Sequence, residues 1–421
     1  MNPKNIKNIF IKTPIEGDFS TYVIAVASFV LLPLANFLPL WLAPLLVLTG
    51  VLALGNLTIT KRLYLLPYLH IKSFSILVFI FWIWCALSFL WTIGYKETGL
   101  EVLRLGLLFT LIPLFAWANT ASTSDRDLIG KFLFWGCCLG MLLLLIQVLF
   151  GKTFLFLLSP KIIAIAISPF QQLNRAAAVL AIVMWPAIIW LWQKKYRFGS
   201  LVFWSVNIFI LWRLDNETAF FSAAVASILA VFVWVSPRKF VKIFSLFIFI
   251  IIATAPMLPS TVLSPEKWLE FSCNYSSPSF LHRLYIWQFA TRKIIEKPFI
   301  GWGLNTARIM PGGRDIIDIK PPCSKNWTTG ESLPLHTHNA FLQIWLELGG
   351  VGAVIAASIL VVVNLAIRTA TRAIAAFSQA QFVSALLVSG LSFGAWQSWW
   401  LSLLWLSALT TASIRDENII D

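Results

Sequence analysis

Residues Leu335–Gly349 read LHTHNAFLQIWLELG. A long polar loop ends there and an apolar helix begins. His336 and His338, two of the four histidines in the chain, stand at the joint. Asn339, Gln343 and Glu347 then recur every fourth residue, which puts them on one helical face. Amides and a carboxylate on one face of a membrane helix are expected to meet protein or a wet cavity, not lipid. A histidine at such a mouth fits two roles. It can act as a general base, because its pKa lies near neutrality, or it can simply cap the helix.

The apolar character of that helix is shared by most of the chain. Hydrophobic residues make up 59% of it and charged residues 12%, and the mean hydropathy is +0.81. Soluble domains carry about twice that charged fraction. Apolar runs of about twenty residues recur, each long enough to cross a bilayer as a helix that satisfies its own backbone. The expected fold is an all-α polytopic membrane protein of about twelve transmembrane helices. Three regions follow: residues 1–258 with spans one to nine, a large loop over 259–338 with amphipathic helices, and 339–421 with the last three spans. Residues 1–19 are polar and basic and do not resemble a cleavable signal peptide.

The formal net charge is +14, but nucleic acid is not the expected partner. The basic residues cluster in short loops, including Lys61, Arg62, Lys72, Arg126, Lys194, Lys195, Arg197, Arg238, Lys239, Lys242, Arg368 and Arg372. With the N-terminus in the cytoplasm, all of these loops fall inside, as the positive-inside rule requires. The C-terminus is then cytoplasmic as well, and His338 and the large loop face outward. Cys273 and Cys323 lie in that loop, where an oxidising compartment would let them pair. Cys85, Cys137 and Cys138 read as apolar filler within spans.

The remaining candidates gather near the outer face. Asn174 and Arg175 open the sixth span and suit either interfacial anchoring or an anionic headgroup. Arg213 closes the seventh span, with Asp215 near enough to neutralise it. In FLHRLYIWQ, Phe280, Leu284, Trp287 and Ile294 keep helical spacing. This predicts an amphipathic helix at the membrane surface with Arg283 beside its apolar face. The residues PFIGWGLN that follow mark a turn where backbones approach closely. No metal-ligand spacing, phosphate loop, dinucleotide fingerprint or serine-nucleophile motif is visible. A histidine surrounded by outward arginines suits transfer from a lipid diphosphate, because arginine forks match diphosphate oxygens.

The stretch LHTHNAFLQIWLELG resembles the histidine motif of the O-antigen ligase and polymerase superfamily, where H-[ST]-H-N precedes a helix with Q, W and E-x-G. The resemblance extends over most of the chain. It includes the span layout, the large loop before the last three spans, LHRLYIWQFA…PFIGWGLN, and Asn174-Arg175 with Trp185-Pro186. It implies a glycosyltransferase-C-like fold in the bacterial inner membrane. It also implies transfer of O-antigen polysaccharide from undecaprenyl diphosphate to a sugar of lipid A-core, with no metal or other cofactor. His338 would be the base, and Arg283 would bind diphosphate. Many relatives carry S-x-S-R near the start of the eighth span. This chain reads LDNETAF there, and Arg213 is the nearest basic residue. Arg175, Asn174, His336, Asn339 and Gln343 are the candidate substrate contacts. The alternatives within the superfamily are a polysaccharide polymerase and a protein-glycosylating ligase. The alternative from another class is a transporter with polar residues lining its path.

Overall fold

The computed structural model describes residues 18–63, 66, 71–150, 169–214, 216–265, 267–268, 278–319 and 328–415. Each expected span becomes a helix: α1 (Phe19–Phe37), α2 (Leu42–Ile59), α3 (Lys72–Leu87), α4 (Tyr95–Phe109) with α5 (Ile112–Ala118), α6 (Thr123–Phe150), α7 (Pro169–Gln193), α8 (Arg197–Arg213), α9 (Glu217–Val235) and α10 (Pro237–Thr254). The short α11 (Met257–Thr261) and then α12 (Pro278–Glu296) lead to α13 (Ala340–Leu365), α14 (Arg372–Leu391) and α15 (Ser398–Ile414). Among the described residues, nine helices are long and apolar enough to cross a membrane. The other three expected spans, α8, α10 and α15, are helices of 17, 18 and 17 residues. The fold is all-α and polytopic. Its described strands are β1 (Ile316–Ile319) and β2 (Thr328–Glu331), an antiparallel pair in the large loop.

Local chemistry sets several boundaries differently from the apolar runs. Pro113 falls in the first turn of α5 and separates it from α4. Helix α6 starts at Thr123 and so takes in Arg126, which the basic pattern places in a loop. Ser122 and Asp125 form a reciprocal capping box there: Asp125 N donates to Ser122 Oγ and Ser122 N to Asp125 Oδ2, both at 3.1 Å.

Helix α7 is the axis of the bundle. Residues Ala176–Ala178 and Val179–Met184 are almost wholly buried, and α1, α6, α8, α9, α14 and α15 all pack on it. Its small side chains let those neighbours come close. Helices α1 and α6 meet at Gly136 and Gly140, four residues apart. A Cβ at Gly136 would collide with the Phe29 backbone, and Asn36 Nδ2 donates to Gly140 O at 2.9 Å.

Helix α12 is amphipathic, as its spacing predicts, but its apolar face is turned to protein. Leu281, Leu284, Trp287 and Ile294 share a core with Leu342 and Leu346 of α13. Helix α13 is itself broken at Gly349, where φ is +64°. The loop Pro298–Gly303 runs beside the break and makes good its backbone bonds. Trp302 N donates to Leu346 O at 3.0 Å, and Gly303 N to Glu347 O at 2.8 Å. Gly350 N donates to Pro298 O, also at 2.8 Å. Trp84 Nε1 reaches Leu348 O at 3.0 Å. Gly349 and Gly301 permit this contact, since a Cβ on either would strike the opposite backbone.

Candidate active site

The turn between α14 and α15 holds the site together. Leu391 O accepts from Arg283 Nη1 at 2.8 Å. Ser392 O accepts from His338 Nδ1 at 3.0 Å. Ala395 N donates to Gln343 Oε1 at 2.9 Å, and Trp396 Nε1 donates to Glu347. The Gln397 side-chain nitrogen faces His336 Nε2 at 2.8 Å, and its Oε1 accepts from Trp399 Nε1 at 3.1 Å. Arg104 braces the turn from α4, donating to Trp396 O at 3.1 Å and to Ser398 Oγ.

The His-Thr-His segment has its own framework. Thr337 is fully buried, and its carbonyl accepts from Trp287 Nε1 of α12 at 2.9 Å. His338 takes a left-handed backbone, with φ +53°. Such a conformation costs about 1–3 kcal/mol in a non-glycine residue and concentrates at functional sites. It brings the His338 amide onto His336 Nδ1 at 3.1 Å and sets the two rings 4.2 Å apart. Asn339 then caps α13, its Oδ1 accepting from Phe341 N and Leu342 N at 3.0 and 3.1 Å.

The Ser392 bond fixes the His338 tautomer. A carbonyl can only accept, so Nδ1 carries the proton and Nε2 holds the lone pair when the ring is neutral. Burial pushes the His338 pKa down to about 4, aided by the positive charge of Arg283 and opposed by the Ser392 bond. Burial lowers His336 to about 3, with His338, Arg308 and Arg283 acting in the same direction. Both rings are neutral at pH 7. Arg283 is half-buried, and burial lowers its pKa while nearby Glu217 opposes the shift; an arginine remains protonated under such a shift.

The polar stripe on α13 meets protein, one of the two surroundings it suits. Glu347 is fully buried and accepts from Asn305 N, Ala307 N (3.1 Å), Gln343 Nε2 (2.9 Å) and Trp396 Nε1. Gln343 is thereby bonded at both ends. Beside them Arg104 pairs with Glu101 at 2.6 Å, as their spacing suggests, and Asn305 Nδ2 reaches the same carboxylate at 3.3 Å. Asn339, Gln343 and Glu347 are thus engaged with protein, whereas His338 Nε2 has no hydrogen-bond partner among the described residues.

The other candidates divide. Arg175 lies over the Trp399 ring at 5.6 Å, and through Trp399 and Gln397 it is linked to His336. Asn174 is exposed, and its carbonyl accepts from Asn216 Nδ2 at 2.9 Å. Arg213 is exposed at the end of α8, 5.7 Å from its neighbour Trp212. Among the described residues, no hydrogen bond joins Arg213 to the histidines or to Arg283. Cys273 and Cys323 lie outside the described residues. Cys85 and Cys137 are buried and free. No cluster of three His, Cys, Asp or Glu side chains among the described residues is arranged to hold a metal ion. Sequence reading passed over Arg308, an exposed arginine whose charge reaches His336, and also Gln397. The one available signal for Gln397 was a lone amide among the tryptophans of WQSWW.

Residues 213–357 match a protein family described as O-Antigen ligase. The segment carries Arg213, Arg283, both histidines and Glu347. A protein of Rickettsia conorii named "Putative polysaccharide ligase" is 28% identical over 347 residues, covering 81% of this chain and 80% of its own length. Another with that name, from Rickettsia bellii, is 28% identical over 345 residues, covering 80% of each. A third, from Rickettsia prowazekii, is 29% identical over 262 residues, covering 59% of this chain and 60% of its own. Over residues 213–357 this chain is similar to the O-antigen ligase superfamily, and along most of its length it is similar to the relatives with the longer matches.

Proposed function

We propose that this protein is a glycosyltransferase that moves a polysaccharide from undecaprenyl diphosphate to a sugar hydroxyl of lipid A-core. The observation that carries the proposal is the pairing at Leu391 and Ser392. Consecutive carbonyls hold a cation, Arg283, and a histidine, His338, whose Nε2 has no hydrogen-bond partner among the described residues. The acceptor hydroxyl oxygen attacks the anomeric carbon as its proton passes to His338 Nε2. The bond between that carbon and the diphosphate oxygen breaks, and the diphosphate leaves with the electron pair. Direct displacement of this kind inverts the anomeric centre.

The enzyme has three tasks: to position two substrates, to stabilise the departing charge and to take one proton. Arg283 and Arg308 supply positive charge, and Arg175 and Arg213 are further candidates for the diphosphate. A free-protein pKa of about 4 makes His338 a weak base. The arriving diphosphate offsets the arginine charges that contribute to this low value, so proton affinity rises when the donor is present. On this proposal the histidine end of the bundle faces the periplasm. The basic loops at the opposite end support that orientation.

The test is an in vitro transfer assay with purified protein, undecaprenyl-diphosphate glycan, lipid A-core and a chelator, comparing wild type with a His338 variant. His338-dependent glycan on lipid A-core is the expected result. Lengthening of the lipid-linked glycan instead would make the protein a polymerase. No product of either kind would remove the proposal.

A further inference from the structure

The end of the bundle remote from the histidines carries a second feature, which does not depend on the proposed reaction. A groove of about 680 Å³ lies between α6 and the turn joining α7 to α8. Phe134, Trp135, Trp190 and Leu191 form its apolar walls, and Lys131, Lys195 and Arg197 stand at its rim. The Phe134 and Trp190 rings are 5.5 Å apart.

The charges at the rim are unbalanced. Asp127, one helical turn before Lys131, is already engaged: Lys194 Nζ is 2.6 Å from it and Trp190 Nε1 donates to it at 3.0 Å. Lys131, Lys195 and Arg197 are all exposed. Arg197 is held in place, its guanidinium 3.6 Å from the Trp192 ring and Nη1 donating to Trp192 O at 3.2 Å. That leaves most of its N–H groups available. Lys195 occupies a left-handed turn position, with φ +64°.

The apolar surroundings decide what kind of ligand fits. Trp135 is 56% exposed and Phe198 78%, so the groove opens onto the flank that meets lipid in a membrane-spanning bundle. A free anion would satisfy the cations but leave the aromatic walls bare. Basic pockets between membrane helices suit anionic headgroups, and tryptophan and tyrosine favour the interfacial level. We infer that this groove binds an anionic phospholipid. Its phosphate sits on Lys131, Lys195 and Arg197, and an acyl chain lies along Phe134, Trp135 and Trp190.

Native mass spectrometry of the full-length protein tests this. Phosphatidylglycerol and phosphatidylcholine of identical chains are supplied to wild type, to a K131Q/K195Q/R197Q variant and to an R238Q/K239Q/K242Q control. Wild type and control should retain one phosphatidylglycerol in preference to phosphatidylcholine. The groove variant should lose that preference, with affinity falling by about tenfold or more for three removed charges. Its lipid-free melting temperature should match wild type, since the altered side chains are exposed. Equal retention by the groove variant would overturn the inference, as would indifference of wild type to the headgroup. Complete displacement of the lipid by millimolar inorganic phosphate would reduce the feature to a simple anion site and overturn it too.

Discussion

His338 and Arg283 are tied to neighbouring carbonyls of one turn: His338 Nδ1 donates to Ser392 O at 3.0 Å and Arg283 Nη1 to Leu391 O at 2.8 Å. A shift of that turn moves the imidazole and the guanidinium together. Their spacing therefore survives motions that would separate residues held on different elements.

Replacing His338 removes the proposed base but not the framework around it. His338→Asn is the informative variant, because asparagine tolerates the left-handed backbone found there. Glycan transfer should fall roughly 10²–10⁴-fold, with little change in melting temperature. Near-wild-type transfer by this variant would show that the proton goes elsewhere.

The arginines should separate in the same assay. Arg283→Lys keeps the charge but loses the planar fork that bonds Leu391 while leaving N–H groups for phosphate. It should cost at least about tenfold in transfer. Arg213→Gln should cost less, since Arg213 is exposed and not bonded to the Leu391–Ser392 turn. The reverse ranking would move the diphosphate contact to the end of α8.

Acid should weaken the fold near neutrality. His338 and His336 have folded pKa values of about 4 and about 3, against about 6.5 in an unfolded chain. Between these limits the unfolded chain binds more protons, so stability falls as pH drops. The loss should begin near pH 6.5 and continue to about pH 4 and below, reaching on the order of a few kcal/mol. Melting temperatures at pH 7 and pH 4.5, for wild type and for a His336→Gln/His338→Asn double variant, measure it. Identical pH dependence in the two proteins would contradict these assignments.

Glu347 is structural in its effect. Glu347→Ala strands four donors in a buried place and should destabilise the protein by at least about 3 kcal/mol. Thermal unfolding in detergent reads this directly. Glu347→Gln should recover part of the loss.

Gly349→Ala should be among the most damaging single methyl additions in the chain. The new Cβ would meet the Phe299 carbonyl, on a backbone with φ +64° that L side chains avoid. Yield of folded protein is the measurement, with Gly55→Ala, at a position with open space, as the control.

The helices were legible because lipid imposes a strong and simple pattern. Where polar residues entered a helix the pattern failed. Arg126 looked like loop, although Ser122 and Asp125 already formed a capping box. His336 and His338 were legible as a pair. Their support was not, because Leu391 and Ser392 act through main-chain carbonyls, which every residue possesses. Asn339 and Gln343 could be placed on one face, but nothing in their identities said that their side chains would be used up by α13 and the turn at Ala395. Arg308 was lost among the glycines and prolines of the loop.

The break in α13 has a consequence for how the protein is made. Carbonyls freed at Gly349 find their partners on Pro298–Gly303 and Trp84, not within their own helix. Inside a bilayer each unmet backbone group costs several kcal/mol. The second half of α13 can settle as an ordinary helix as soon as it leaves the insertion machinery. The first half cannot, because its partners lie on the preceding loop and on α3 and must dock onto it. Docking of the Pro298–Gly303 loop and completion of this helix are thus one step in biogenesis.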